Sequence, residues 1–472
     1  MTASTNQERP ASGAGSAPLV AVCLAYFMVI VDTTVVTVAL PALRADLHAG
    51  LSGQQWVVDS YLLMLAALLL CGGALADRAG ARRVFQCGLA VFVLASAGCG
   101  LAPNVGTLVF ARFLQGVGAA AAVPASLALL RAEFPDAAAR ARAFGVWGGI
   151  AGVAAAAGPV LGGVLVNTMS WRAVFLVNLP IGLAAMVLTA RCVPAPPPRP
   201  RHLDLPAQAV AVLALTALTF ALIEGGRYGP SPRVMLAALV FLAATGGFLA
   251  MQRGARDPVL PLGLFRNATF AGGNAVGLLI NFGFYGELFV LNLYFQQVLG
   301  YSASRAGVAL LPQMGVVAAG SALSGRFSAR TGSPRPTMLV GLIVGGGGLF
   351  GLIVAAPDVR YPVLAIPLAA AGFGMSFTMP AATTAVLDAV SADRAGLAAG
   401  VLNAARQVGG VIGVAVLGAL VAATGPAVIS GFRVAVAIAG AAFWLAAAVA
   451  AGTVARDRSA RRSLTGSRPA DS

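Results

Sequence analysis

The run Pro18-Leu-Val-Ala-Val-Cys-Leu-Ala-Tyr26-Phe-Met-Val-Ile-Val31-Asp32-Thr33-Thr34-Val35-Val36-Thr37-Val38-Ala-Leu-Pro41 decides the architecture. Wound as an α-helix at ~1.5 Å per residue, it is long enough to cross the ~30 Å hydrocarbon core of a bilayer. A single acid, Asp32, interrupts it. A charge at that depth costs ~2.5–3.5 kcal/mol on insertion scales, so it normally faces a bundle interior or water rather than lipid. The run lacks a small-residue cleavage site, which predicts a retained helix and not a signal peptide.

Blocks of similar length recur along the chain. Of its 472 residues, 58% are hydrophobic and only 10% are charged, where a soluble domain carries about a quarter as charges. Fourteen spans are predicted, near 18–41, 54–76, 84–102, 106–130, 143–167, 172–191, 206–224, 234–251, 269–292, 304–326, 336–356, 361–386, 400–423 and 430–454. An all-helical membrane protein follows, with the lipid bilayer as its first partner.

The net charge of +15 does not indicate nucleic-acid binding. Every basic residue is an arginine, and the arginines sit in the gaps between apolar blocks. Alternate loops hold them in a ratio of roughly three to one, which predicts both termini in the cytoplasm by the positive-inside rule. The absence of lysine excludes a P-loop ATPase, whose GK[ST] lysine holds the phosphates, and excludes Schiff-base chemistry. Cys23, Cys71, Cys87, Cys99 and Cys192 show no framework spacing and are read as packing. His48 and His202 stand alone, so no metal site is expected. No nucleophile–base constellation is visible either, so no enzymatic activity is expected.

A basic, proline-rich linker at 192–205 follows the sixth span, as stiff linkers between bundles do. A weak repeat lies across it. Gly116, Gly118 and Pro124 recur as Gly372, Gly374 and Pro380, while Gly73, Arg78, Gly80 and Arg83 recur as Gly325, Arg330, Gly332 and Arg335. The expected organisation is a tail at 1–17, a six-helix bundle at 18–191 and an inserted pair at 206–251. A second six-helix bundle at 269–454 and a basic tail at 455–472 complete it. Parallel repeats of this kind occur in transporters.

Four motifs carry the chemistry. In the loop after the second span, Gly73-Ala-Leu-Ala-Asp77-Arg78-Ala-Gly80-Ala-Arg82-Arg83, Gly73 allows close helix approach and Gly80 a tight turn. Asp77 can meet a helix N-terminus or an arginine. Simple positive-inside anchoring is the alternative. Arg112-Phe-Leu-Gln115-Gly116-Val-Gly118 places an arginine in the fourth span at a depth similar to that of Asp32. Burial disfavours a carboxylate's charge and a nearby arginine restores it, so a movable pair of this sort can couple protonation to conformation. A fixed structural ion pair is the alternative. Gly145, Gly158-Pro159 and Gly162-Gly163 in the fifth span combine close packing with a kink.

These stretches resemble the signatures of the major facilitator superfamily. Val31 to Pro41 looks like the D-x-T-[IV]-V-x-V-A-L-P run of its fourteen-span drug/proton antiporters. The loop resembles G-x-L-[AS]-D-R-x-G-R-[KR], with Ala81 in place of an arginine. The fifth span resembles the exporter-associated G-x8-G-x3-G-P-x2-G-G, with Ala154 in place of its second glycine. Trp171 to Gly182, Phe220 to Gly225, Leu264 to Arg266 and Asn403 to Gly410 extend the likeness, in part toward methylenomycin-resistance-type exporters of actinomycetes. The resemblance implies two six-helix bundles plus an inserted helix pair in a bacterial inner membrane. It also implies export of small hydrophobic or cationic compounds in exchange for protons, with no cofactor beyond the proton gradient and a monomer as the family's default. A proton-coupled importer on the same fold is the rival reading.

Asp32 and Arg112 are the first candidates for proton coupling, Glu287 and Asp59 the next. For Asp59 a solvated position at the outer end is equally open, and for Glu287 a position near the outer interface. Gln115, Asn281, Phe284, Tyr285, Tyr294, Arg406 and Gln407 are candidates to line a substrate cavity, offering stacking and hydrogen bonds to an aromatic guest.

Overall fold

A computed structural model describes residues 16–134, 136–197, 204–255, 258, 260–391, 394–421 and 427–454. Most of both predicted tails, and 198–203 of the linker with Arg199 and Arg201, lie outside the described residues. So does Arg256.

The first half comprises α1 (Ser16–Leu47), α2 (Leu51–Ala79), α3 (Ala81–Gly100), α4 (Val105–Glu133), α5 (Ala137–Thr168) and α6 (Ala173–Cys192). An inserted pair follows, α7 (Leu205–Tyr228) and α8 (Pro232–Gly254). The second half holds α9 (Ala268–Leu293), α10 (Leu311–Thr331), α11 (Pro334–Gly351), α12 (Tyr361–Asp388), α13 (Ala395–Leu420) and α14 (Ala427–Thr453). Thirteen of these helices are long and apolar enough to span a membrane, α10 being the exception. The tenth expected span, 304–326, is a short helix Ala303–Ala309 that turns at Leu310 into α10. Its lower apolar content comes from Gln313, Arg326, Arg330 and several serines. Together the two pieces are about as long as the other spans.

Helix packing repeats between the halves. α1 packs on α5 and α6, and α4 on α2 and α3; in the same way α9 packs on α13 and α14, and α12 on α10 and α11. The halves meet where α2 lies against α13 and where α5 lies against the Ala303–Ala309 turn and α10. Links between them sit toward the end where α1 passes to α2. There the Gln55 amide donates to the carbonyls of Val414 and Ala415 (3.2 and 2.9 Å), Gln296 to that of Val38 (3.0 Å), and Asn292 to the Thr37 hydroxyl (3.3 Å).

Small residues make these contacts possible. A Cβ at Gly88 would sit 2.8 Å from the Gly118 carbonyl oxygen, and one at Gly118 2.7 Å from that of Gly88. α3 and α4 therefore touch backbone to backbone, as helices in lipid do when van der Waals packing replaces the hydrophobic drive. Gly72 abuts the Ala120 carbonyl on α4, whereas a Cβ at Gly73 would stand at an ordinary 3.6 Å from Pro124. The tightest approach in the loop motif's helix is thus one residue earlier than the pattern suggests.

The inserted pair is peripheral. α7 packs on α2 and α13, beside the seam between the halves, and α8 packs chiefly on α7. Only 6% of the apolar core of α8 is buried, against 78% for α9. Leu236, Leu239 and Leu242 point outward, and in a bilayer their neighbours are lipid tails.

Candidate functional site

Asp32 and Arg112 are brought together in the interior of the first half. Both are buried, and Arg112 is among the largest fully buried side chains. Nη1 of Arg112 pairs with Oδ2 of Asp32. The other carboxylate oxygen accepts from the Gln115 amide (3.0 Å) and the Asn178 amide (2.8 Å). Gln115 turns its own oxygen to Arg112 (2.9 Å) and donates to Ser96 Oγ (2.7 Å). Nε of Arg112 donates to the Val57 carbonyl (2.9 Å), and its guanidinium carbon lies 4.4 Å from the Tyr61 ring centroid.

The cluster ties together all of α1, α2, α3, α4 and α6. Each member is a polar residue in an otherwise apolar span, so burial forces it to find partners within the bundle. Removing one partner of such an ion pair typically costs about 3–5 kcal/mol, since the survivor stays buried and uncompensated. Gln115, expected in a substrate cavity, serves this cluster instead. Ser96, Tyr61 and Asn178 were not singled out from the sequence. Their signal is a hydrophilic side chain in the middle of an apolar run, and Asn178 lies inside the Trp171–Gly182 stretch.

The other acids are also buried. Asp59 is fully buried, which excludes the solvated reading; neither of its carboxylate oxygens has a hydrogen-bond partner among the described residues. It lies one helical turn beyond Gln55 on the same face of α2, the face that meets α13. Glu287 is buried on α9 and accepts from the Gln313 amide of α10 (2.9 Å) through one oxygen, while its other oxygen has no partner.

The fifth-span glycines form two seams. Gly158 and Gly162 press against α1, where a Cβ at Gly162 would stand 2.8 Å from the Val35 carbonyl oxygen. A Cβ at Gly163 would stand 2.7 Å from the Ala303 carbonyl oxygen of the other half, and Ser304 Oγ donates to the Gly163 carbonyl (2.8 Å). The Pro159 carbonyl faces Gly307 across the same seam. Ala154 is buried, so its methyl fits where the pattern carries glycine. At Gly145 a Cβ meets nothing within 4 Å, and packing does not require glycine there.

In the loop motif, Gly80 takes φ +92° and Gly332 of the second copy φ +68°, which favours glycine at both. Arg78 and Arg83 are exposed, and Asp77 is half-buried. Arg82 donates to the Ala190 carbonyl in the last turn of α6, as Arg335 does to the Ala451 carbonyl in the last turn of α14. Arg335 therefore does the work of Arg82, not of Arg83, the position the repeat had aligned with it.

The cavity candidates divide. Tyr285, Arg406 and Gln407 are only partly buried and lie where the second half faces the first. Tyr285 stands beside Thr33 of α1 and Arg406 of α13. Phe284 is buried, edge-on to Tyr285 with centroids 5.5 Å apart. Asn281 is buried and donates to the Gly277 carbonyl of its own helix (2.9 Å). Tyr294 lies inside the second half, stacked on Phe432 (4.7 Å) and donating to the Ala356 carbonyl (2.8 Å). Its hydroxyl and ring are both committed there, which corrects its placement in a cavity.

Two parallel six-helix halves, a peripheral pair and a buried polar cluster beside the seam describe a multi-pass membrane transporter. Residues 22–414 match the Major Facilitator Superfamily, and the chain belongs to it. It is 37% identical over 414 residues to the methylenomycin A resistance protein of Bacillus subtilis, covering 87% of this chain and 88% of that one. It is 36% identical to the Streptomyces coelicolor protein of the same name, covering 88% and 89%. It is 37% identical to the tetracenomycin C resistance and export protein of Streptomyces glaucescens, covering 88% and 78%. Among solved structures, a POT family transporter superposes with TM-score 0.71 at 12% identity, covering 93% of this chain and 96% of that one. A bacterial homolog of the human lysosomal transporter Spinster gives TM-score 0.65 at 18% identity, covering 94% and 98%. These two likenesses concern the fold.

Proposed function

We propose that this chain exports small hydrophobic or cationic compounds from a bacterial cell across the inner membrane, in exchange for protons. In this reading it works as a monomer with both termini in the cytoplasm, powered by the proton gradient with no cofactor and no enzymatic step. The observation that carries it is the ion pair of Asp32 and Arg112, buried in the half whose fifth helix bears the exporter-like glycines. Relatives named for resistance and export support the direction of transport.

Proton loading at Asp32 acts through α1. A neutral carboxyl no longer holds Arg112 electrostatically, and Arg112 falls back on the Val57 carbonyl and Gln115. α1 is the helix that packs on Gly158 and Gly162 and links to α9 through Thr37 and Val38. A change in its hold on α4 and α6 thus reaches both the α1–α5 seam and the contact between the halves. Asp59 and Glu287 are the further proton-binding candidates, each with an unpartnered carboxylate oxygen. Asp77 and Arg78, with the Gly80 turn, form the gating loop.

The test is drug accumulation in a pump-deficient bacterium expressing the chain, with and without a protonophore. Lower accumulation that the protonophore restores supports proton-driven export. Accumulation above the control establishes import and overturns the proposal.

A further inference from the structure

Between the halves, α1 and α5 present a flat aromatic wall. The rings of Tyr26 and Trp147 stack with centroids 3.7 Å apart and planes 9° from parallel. Across from them stand Tyr285 of α9 and Arg406 of α13, both close enough to Tyr26 to interact with it electrostatically. Tyr285 also lies beside Thr33. Tyr26, Trp147, Tyr285 and Arg406 are each only partly buried. On α5 next to the wall, a Cβ at Gly148 or Gly149 would meet nothing within 4 Å.

The polar atoms left over here are chiefly donors. Nε1 of Trp147 and Nε of Arg406 have no partner among the described residues, and Arg406 makes one side-chain bond, to Asn403 (3.2 Å). Its guanidinium is in neither of the two ion pairs described. Indole and guanidinium can only donate. The acids of the neighbouring spans do not answer them, because Asp32, Asp59 and Glu287 are at most 1% exposed. The one free acceptor, the Gln407 side-chain oxygen, suits a hydroxyl.

We infer that the seam holds a binding site for planar aromatic compounds carrying an acidic group, with Arg406 as the counter-charge and the Tyr26–Trp147 stack as the platform. A flat guest extends the stack, and its carboxylate or phenolate accepts from Arg406 and Trp147. An arginine without an acid partner attracts an anion and repels a cation at the same spot, so the site selects against permanent cations. The inference narrows the substrate class of the proposed exporter and rests on that reading only for calling the guest a substrate.

Three matched probes test it: anthracene-9-carboxylate, the neutral 9-anthracenemethanol and a trimethylammonium derivative of the same ring. Binding is measured calorimetrically to the full chain in phosphatidylcholine nanodiscs, with empty nanodiscs as the blank. The carboxylate should bind at least about tenfold more tightly than the alcohol, as a charge-assisted hydrogen bond warrants, with the cation weakest. Arg406→Gln should bring the carboxylate to the level of the alcohol and leave the alcohol unchanged. The inference fails if the cation binds as well as the carboxylate, if none of the three binds, or if Arg406→Gln weakens all three alike. It also fails if added phosphatidylglycerol displaces the carboxylate competitively, which would assign the site to a lipid headgroup. Should Arg406→Gln not fold, the probe order on the unaltered chain decides. Binding is read without transport, so loss of the export reading leaves this result standing, and the reverse holds too.

Discussion

Arg112 and Asp32 sit on different helices, α4 and α1, yet each is satisfied almost entirely by the other and by the amides that flank them. The pair is enclosed within one half of the molecule and does not line the seam. Protonation at such a place alters how helices of one half hold each other, and the effect reaches the other half through α1.

Removing the cation should be worse than removing the acid. Arg112→Gln leaves a buried carboxylate with amides alone and should lower the unfolding free energy by about 3–5 kcal/mol. Asp32→Asn should cost less, because Arg112 keeps the Val57 carbonyl and Gln115. Thermal unfolding in detergent checks the order, and a double variant more stable than Arg112→Gln alone would confirm that the pair acts as a unit.

Closure between α2 and α13 should depend on Gln55. Its amide bridges two carbonyls of α13, and Gln55→Leu removes bonds worth about 1 kcal/mol each. Spin labels on α2 and α13 near that end should report a larger share of separated states. An unchanged distance distribution would mean that helix packing alone holds the contact.

Gly163 should tolerate no side chain. Gly163→Val pushes into the Ala303–Ser304 backbone, and overpacking of this kind costs about 1–3 kcal/mol. Cysteine accessibility along α5 and α10 should rise at the α1–α2 end. Gly145→Ala, where a Cβ meets nothing, should leave accessibility as it is.

Arg82 and Arg335 should be structural equals. Arg82→Ala and Arg335→Ala each free a carbonyl in the last turn of a sixth helix and should lower thermal stability by similar amounts, about 0.5–1.5 kcal/mol. Probe binding at the seam should not change.

Much of this was legible beforehand, because lipid restricts what a chain can do. A run as long as Pro18–Pro41 has few alternatives to a spanning helix, and an acid within it has few alternatives to a buried partner. The pairing of Asp32 with Arg112 followed from motif and depth. The rest of the cluster depended on which helix faces which, so Asn178 and Ser96 stayed hidden among apolar neighbours. Tyr294 shows the opposite error. An aromatic hydroxyl near other polar residues reads as cavity lining, but packing against Phe432 and a bond to Ala356 hold it in the interior. The tenth span was found in place yet less apolar than its peers, because Gln313 is needed by Glu287 and its far end is exposed.

The central claim is that Asp32 carries the exchanged proton. The direct measurement is proton release on adding a transported compound to the purified chain in weakly buffered solution, comparing the unaltered protein with Asp32→Asn. The account predicts release from the first and a large loss of it from the second, with both equally folded by size-exclusion chromatography. Equal release from the two proteins would contradict it and move the proton to another carboxylate, Glu287 or Asp59.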